Sequence, residues 1–223
     1  MNRLNESERE LLAKMLGSHA YREKLAAERF TQAVALSPTP GDTKYLKHIV
    51  EEEIDHYRGC LRVASELNID LESLVNVRML LEPPGIPSFE TWLDVLLAHA
   101  LNDRAGYHVL TGLTGSKVSA YARLAAEIVA DEESHGETGA AALVEYYESC
   151  DHPQKRDKLL IHLDAAVRCL GKPNTRNDAE AIKTGLKTKP AAQIISEYCD
   201  AVDPILESLG CADLLPLSGR YLQ

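Results

Sequence analysis

Several features that mark common protein classes are scarce in this sequence. Aromatic residues make up only 5% of the 223 residues, with one Trp and two Phe. No apolar run approaches the roughly 20 residues that a membrane span needs, so we expect no membrane partner. The first residues, MNRLNESERE, are polar and charged, and we therefore expect no secretory signal. The alternation of apolar and polar residues that predicts strands is almost absent.

Positive charge and paired cysteines are also scarce. The chain has 24 Lys and Arg against 34 Asp and Glu, a formal net charge of -10. A non-specific nucleic-acid surface needs clustered Lys and Arg, so we expect no nucleic-acid partner. The five cysteines are odd in number and form no CxxC pair, which is typical of reduced thiols in a cytoplasmic protein.

Helical periodicity fills most of the chain, because apolar residues recur at i, i+3 and i+4. Segments rich in Pro and Gly, such as SPTPGD and EPPGIPS, interrupt it. The pattern predicts long helices over 6–36, 43–67, 88–110 and 117–148, a short helix over 70–81, and C-terminal helices near 155–170, 176–186 and 190–209. The sequence thus predicts an all-α fold. It is an up-down four-helix bundle (1–150) with additional C-terminal helices (151–223), all in one structural domain.

Two histidines in this sequence follow a glutamate by three residues. The pairs are Glu53–His56 in EEEIDH and Glu132–His135 in DEESH. Positions three apart share a helix face, so each pair can reach one metal ion. One such pair alone is weak, since eight histidines should give about one by chance, and an exposed helix face is the alternative. Both pairs, however, lie on the apolar stripe of their helix, where an unpaired charge would cost several kcal/mol.

The preceding long helix in each half of the bundle offers a further carboxylate. Glu23 lies before Glu53, and Asp103 lies before Glu132, at nearly equal separations along the chain. A carboxylate and an ExxH pair, repeated across four antiparallel helices, is the ligand set of ferritin-like di-iron proteins. Hard oxygen ligands with one imidazole per metal favour iron or manganese over zinc. The predicted metal-binding and catalytic residues are therefore Glu23, Glu53, His56, Asp103, Glu132 and His135.

Other polar and aromatic residues near these positions have more ordinary interpretations. His19 and His99 each lie one turn before a predicted ligand, and they are either hydrogen-bonded core histidines or residues that orient that ligand. Four neighbouring glutamates point off the apolar stripes. Glu28 fits a solvated position. Glu51, Glu52 and Glu133 fit either solvated positions or positions that support the ligands. Two tyrosines are predicted to face inward as core residues: Tyr107 and Tyr121.

The predicted third and fourth long helices resemble a known family. TWLDVLLAHALNDRAGYHVL and SAYARLAAEIVADEESHGETG are similar to the catalytic subunit of phenylacetyl-CoA epoxidase and of related benzoyl-CoA epoxidases. The resemblance continues through SHAYRE, EEEIDHYRGCLRVASELNID, CLGKPNTRNDAEAIKTGLK and DPILESLG, so it covers about residues 11 to 210 in the same order. It implies that the family's iron ligands fall on the same six residues. An aspartate at the position of Asp103 is itself a feature of that family.

The predicted function is that of a non-haem di-iron monooxygenase. Two iron ions, with manganese as the alternative, would activate O2 for epoxidation or hydroxylation of a small organic substrate, and the resemblance implies an aromatic acyl-CoA thioester. No GxGxxG fingerprint is present, so electrons must come from a separate reductase. The chain is expected to form a homo-oligomer or to bind a related helical subunit. The alternatives are a ferroxidase or iron-handling protein, and a non-catalytic structural subunit of an oxygenase complex.

Overall fold

A computed structural model describes residues 4–81 and 86–222 and confirms the all-α fold, with no strand among those residues. The bundle helices are α1 (Glu6–Ala33), α2 (Pro40–Leu67), α3 (Leu71–Leu81), α4 (Trp92–Leu97, Ala98–Asp103 and Arg104–Thr111 in succession) and α5 (Ser119–Ser149). The later helices are α6 (Lys155–Cys169), α7 (Arg176–Lys183), α8 (Ala191–Ser208) and α9 (Ser218–Tyr221). The four long helices α1, α2, α4 and α5 pack together as the predicted bundle. Part of the predicted EPPGIPS loop, residues 82–85, lies outside the described residues.

Local capping chemistry sets where the first two helices begin. Asn5 and Glu8 form a reciprocal capping box at the start of α1, in which each side chain accepts a hydrogen bond from the other residue's backbone N–H. Thr39 caps α2, and Pro40 occupies its first position. The predicted start of this helix at residue 43 was therefore late, because a proline at the first helical position begins a helix instead of breaking it.

The middle of α4 is a π-helical segment, Ala98–Asp103, where the sequence predicted a regular helix. This segment lies directly against α5 at Gly139. A Cβ atom added there would lie 2.3 Å from His99 Cβ and 2.8 Å from the Ala100 nitrogen. The extra residue in a π turn shifts the phase of the helix that follows. Tyr107, which was expected to face inward, is consequently partly exposed, and this prediction was wrong.

The C-terminal helices bury their apolar faces against α4 and α5. Leu163 of α6 and Ile195 and Tyr198 of α8 share one buried cluster with Leu101 of α4 and Leu143 of α5. This apolar core is continuous across position 150. The division of the chain into residues 1–150 and 151–223 stays a prediction. The short helix α9 was not predicted.

The structure also describes the cysteines, the longest helices and Tyr121. All five cysteines lie within the described residues; none is in a disulfide, and four of them are buried. Within the described residues, no helix combines the length and the apolar character that crossing a bilayer requires. Tyr121 is buried as predicted.

Candidate metal centre

Four of the six predicted ligands form one buried cluster. α1 contributes Glu23, α2 contributes Glu53 and His56, and α5 contributes Glu132. One ligand atom from each of these side chains lies within 4.8 Å of the others, and all four side chains are buried. Because the ExxH pair of α2 occupies one helix face, both of its residues point to the same interior space. The cluster can hold a cation.

The remaining two predicted ligands lie beside this cluster. Asp103 is buried in α4 and lines the same cavity as Glu23, Glu53 and Glu132. Its Oδ2 atom lies 2.6 Å from Nδ1 of His99. His135 is buried in α5, outside the four-residue cluster, and its ring centroid is 6.3 Å from that of His99. The structure therefore assembles four of the predicted ligands completely, adds Asp103 to the same cavity, and leaves His135 next to the histidine that holds Asp103.

The orientation of the two ExxH histidines leaves one nitrogen of each ring for a metal. His56 Nε2 lies 3.1 Å from Asp131 Oδ2, and His135 Nε2 lies 3.0 Å from Glu52 Oε2. His135 Nδ1 is buried without a hydrogen-bond partner, and His56 Nδ1 is buried 3.4 Å from Glu23 Oε2 without the geometry of a hydrogen bond. An unsatisfied buried polar atom costs about 1–3 kcal/mol, so these nitrogens indicate a missing partner. Metal-bound histidines typically donate their other ring N–H to a carboxylate, and both residues fit that arrangement.

Asp131 and Glu52, the carboxylates that contact the two ExxH histidines, occupy equivalent positions in their helices. The sequence analysis did not single out Asp131. Asp131 immediately precedes Glu132, as Glu52 immediately precedes Glu53. Each acid contacts the histidine of the opposite helix. The usable signal was the repeated pattern acid–Glu–x–x–His. The pattern predicts these contacts only if α2 and α5 are neighbours, and the pattern alone does not show that they are.

Two further histidines hold the carboxylates contributed by α1 and α4. His19 Nε2 lies 2.9 Å from Glu23 Oε1, and His99 Nδ1 lies 2.6 Å from Asp103 Oδ2. Both pairs are spaced i, i+4, so each histidine sits one turn before its carboxylate on the same helix face. Both histidines are buried, and His99 stacks on Phe30 with ring centroids 4.4 Å apart. Each histidine thus contacts the carboxylate of its own helix, and a role in orienting that ligand stays a prediction.

Without a cation, the cluster is electrostatically unfavourable. Burial, reinforced by the charges of Glu23, Glu132 and Asp103, raises the pKa of Glu53 well above its ordinary value. Burial and the nearby Asp103 raise the pKa of Glu132 in the same way. Burial also opposes ionisation of Glu23, but its interactions with His19 and His56 outweigh burial and lower the pKa of Glu23. Protons therefore substitute for positive charge in the cluster, which is the condition that a bound metal relieves.

A glycine in α4 makes room for one carboxylate of the cluster. A Cβ atom added at Gly106 would lie 2.7 Å from Glu132 Oε2 and 3.0 Å from its Cδ atom. Any other residue at this position would push the Glu132 carboxylate away from its place. The glycine thus belongs to the site although it carries no ligand atom.

The cavity beside the carboxylates is small. Its volume is about 40 Å³, which is room for roughly three water molecules. Its lining includes three residues that the sequence analysis did not single out: Arg22, Asn102 and Cys169. In this conformation the cavity can hold small molecules such as water or O2, but it cannot hold a ring-sized organic molecule.

Comparison with known proteins identifies the family of this chain. The sequence model of the family described as "Phenylacetic acid catabolic protein" matches residues 1–216, a range that contains all six predicted ligands. No curated protein matches the chain. Since the match covers nearly the entire sequence, the chain belongs to the phenylacetic acid catabolic protein family.

Proposed function

We propose that this chain is a non-haem di-iron monooxygenase subunit that oxidises a small organic substrate in phenylacetate catabolism. The observation that carries the proposal is the buried cluster of Glu23, Glu53, His56 and Glu132, in which burial and the neighbouring carboxylates raise the pKa of Glu53. Four acidic ligands, with Asp103 included, balance the charge of two ferrous ions. Manganese has similar ligand preferences and is the alternative metal.

The six side chains divide naturally between two metal positions. Glu23 and His56 lie on one side of the cluster, while Asp103 and His135 lie towards α4 and α5. We propose that Glu53 and Glu132, which come from the two ExxH pairs, would complete the ligand set that holds the two ions. The pattern is that of ferritin-like di-metal bundles, where two helices give single carboxylates and two give Glu-x-x-His.

When bound, the two metal ions would supply the electrons that activate O2 for insertion of one oxygen atom into the substrate. The chain's own residues hold and orient the site. His19 and His99 fix the carboxylates of Glu23 and Asp103, and the buried helix faces around them exclude bulk water. Electrons would come from a separate reductase, and the chain would work beside related subunits of a multicomponent complex.

A groove on the surface near the cavity supports an anionic substrate such as an aromatic acyl-CoA thioester. The groove has a volume of about 380 Å³ and lies between α1, α3 and α7. Four cations line it against a single carboxylate, that of Asp178, in a protein with a net charge of -10: Lys14, Arg78, Lys172 and Lys187. Lys187 forms an ion pair with Asp178. Phosphate groups on a substrate would find complementary charge in this groove.

A second candidate function is oxidation of ferrous ions with no organic substrate. The cavity volume of about 40 Å³ favours it, because oxygenases need space for the substrate beside the metal. A third possibility, a non-catalytic structural subunit, does not account for an intact set of buried ligands. Substrate-dependent O2 consumption separates the first two candidates.

Metal quantification on protein expressed with iron tests the proposal most directly. We expect about two iron ions per chain, and about one or none in His135→Ala. The matched control is His152→Ala, which removes a partly exposed histidine from the segment between α5 and α6, where its side chain accepts a hydrogen bond from the Gln154 N–H. It should keep the wild-type metal content. A metal-free wild-type protein, or equal loss of metal in both variants, would refute the metal centre.

Oxygen uptake distinguishes the first two candidate functions. Uptake in the presence of a reductase that depends on a phenylacetyl thioester supports the monooxygenase, whereas uptake that depends on ferrous ion alone supports the second candidate.

A further inference from the structure

An arginine joins α1 to the end of α6 at the edge of the metal-site cavity. Arg22 is half-buried and lines the cavity together with Cys169. Its Nη1 atom donates a 2.9 Å hydrogen bond to the carbonyl oxygen of Cys169, and its Nε donates one of 3.3 Å to the carbonyl of Ser18. Cys169 is the last residue of α6, where carbonyl groups lack partners within the helix. Arg22 thus supplies a partner to a helix end from another helix.

The two chain segments that this bridge joins line two separate voids. On the inner side, Arg22 and Cys169 line the small cavity that contains the carboxylates. On the outer side, the cationic groove is lined by Ser18, one turn before Arg22, and by Gly171, two residues after Cys169. The same two chain segments therefore border both voids, and the Arg22–Cys169 contact is the link between the segments.

We infer that Arg22 controls access from the groove to the metal-site cavity, so that a substrate must displace its guanidinium from the end of α6 to reach the metals. The inference rests on the proposed function only in taking this cavity as the place of reaction. It reconciles a cavity of about 40 Å³ with an organic substrate, since the adjoining groove of about 380 Å³ becomes continuous with the cavity when the bridge opens. A cation is suited to this position, because an anionic group arriving in the groove offers the guanidinium a stronger partner than a neutral carbonyl.

The thiol of Cys169 reports directly on this access. Cys169 lines the cavity but is partly exposed as a residue. The ratio of its iodoacetamide alkylation rates in a variant and in the wild type, measured by peptide mass spectrometry on the full-length chain, therefore gives the change in access to this thiol. Burial raises the pKa of the Cys169 thiol, and Arg22 partly opposes this rise. In a closed cavity, loss of Arg22 would therefore make the thiol less reactive. An increase in its labelling rate can come only from easier access.

Arg22→Ala should increase the Cys169 labelling rate roughly tenfold or more, because one charge-assisted hydrogen bond closes the route. Arg22→Lys keeps the charge but loses the planar fork, and it should give a smaller increase. The matched control is Arg9→Ala. Arg9 also lies on α1 and donates to the last carbonyl of another helix, that of Leu67 in α2, and its loss should leave Cys169 labelling unchanged.

Cys60 distinguishes opening of the cavity from general loosening of the fold, since this thiol is fully buried in α2. Faster labelling of Cys169 with an unchanged Cys60 rate supports the inference. Unchanged Cys169 labelling in both Arg22 variants, or parallel acceleration at Cys60, overturns it. If Arg22→Ala does not fold, the Arg22→Lys result decides alone. Labelling is measured with and without a chelator, so its outcome does not depend on whether the chain binds iron.

Discussion

Gly106 offers a test of the metal centre that leaves every predicted ligand in place. In Gly106→Ala, the new Cβ would lie 2.7 Å from Glu132 Oε2, where ordinary contact begins near 3.4 Å. The carboxylate must therefore move by roughly 0.7 Å, while metal–ligand distances tolerate only about 0.2 Å. The atom that must yield is the end of a flexible side chain, so the fold itself should accept the change. Replacing a helical glycine by alanine even contributes about 1 kcal/mol of stability.

The expected magnitudes differ sharply between metal-free and metal-loaded Gly106→Ala protein. Without metal, the free energy of unfolding should stay within about 1 kcal/mol of the wild type. With each ion at about 100 times its Kd, binding stabilises the wild type by about 2.7 kcal/mol per ion. If Glu132 contributes to binding of both ions, a tenfold loss of affinity for each would remove about 2.6 kcal/mol in total. For a chain of this length, that loss corresponds to roughly 5–10 °C less metal-dependent increase in Tm.

Differential scanning fluorimetry with and without Fe(II) or Mn(II), under anaerobic conditions, measures this difference. Gly41→Ala is the control, because Gly41 is exposed in the first turn of α2 and an added Cβ would meet only Thr39 Oγ1 at an ordinary 3.5 Å. It should respond to metal like the wild type. A full metal response in Gly106→Ala would show that Glu132 does not bind metal from this position. A metal-free Gly106→Ala protein destabilised by more than about 2 kcal/mol would show that the carboxylate cannot move.

Two further predictions concern the charge of the centre and the packing behind it. Burial and neighbouring carboxylates raise the pKa of Glu53, so its contribution to stability is complete below its ordinary pKa and is lost as pH rises through the folded-state value. Metal-free protein should therefore lose stability as the pH rises from the ordinary pKa of a glutamate towards the raised pKa of Glu53 in the folded state, and Glu53→Gln should reduce this loss by up to about 1.4 kcal/mol per pH unit. The free energy of unfolding is measured by urea denaturation at several pH values. An equal pH dependence in the wild type and in Glu53→Gln would contradict the prediction. Gly139→Ala, whose Cβ would meet His99 Cβ at 2.3 Å, should lose about 2 kcal/mol or more. Gly136→Ala, with its nearest contact at 3.3 Å, should lose less than about 1 kcal/mol, and similar losses in the two variants would exclude a special close approach at Gly139.

The amino-acid sequence by itself determined the helices and the set of residues that could face the interior. Helical periodicity is a local property, because each side chain's direction follows from a fixed rotation per residue. This is why the positions of Glu23, Glu53 and Glu132 on apolar stripes correctly predicted burial of these charged residues. Burial of these carboxylates then predicted, on energetic grounds, a partner for their charge.

Tertiary structure alone decided how the helices meet. The contact of Asp131 with His56 depends on the pairing of α2 with α5, and the π-helical segment of α4 lies where its backbone closely approaches Gly139. The contact between Arg22 and Cys169 joins residues 147 positions apart in sequence, so no local pattern could state it. Periodicity fixes the direction of a side chain from its own helix, but the space between helices is set by packing, and there the cavity and its access are formed.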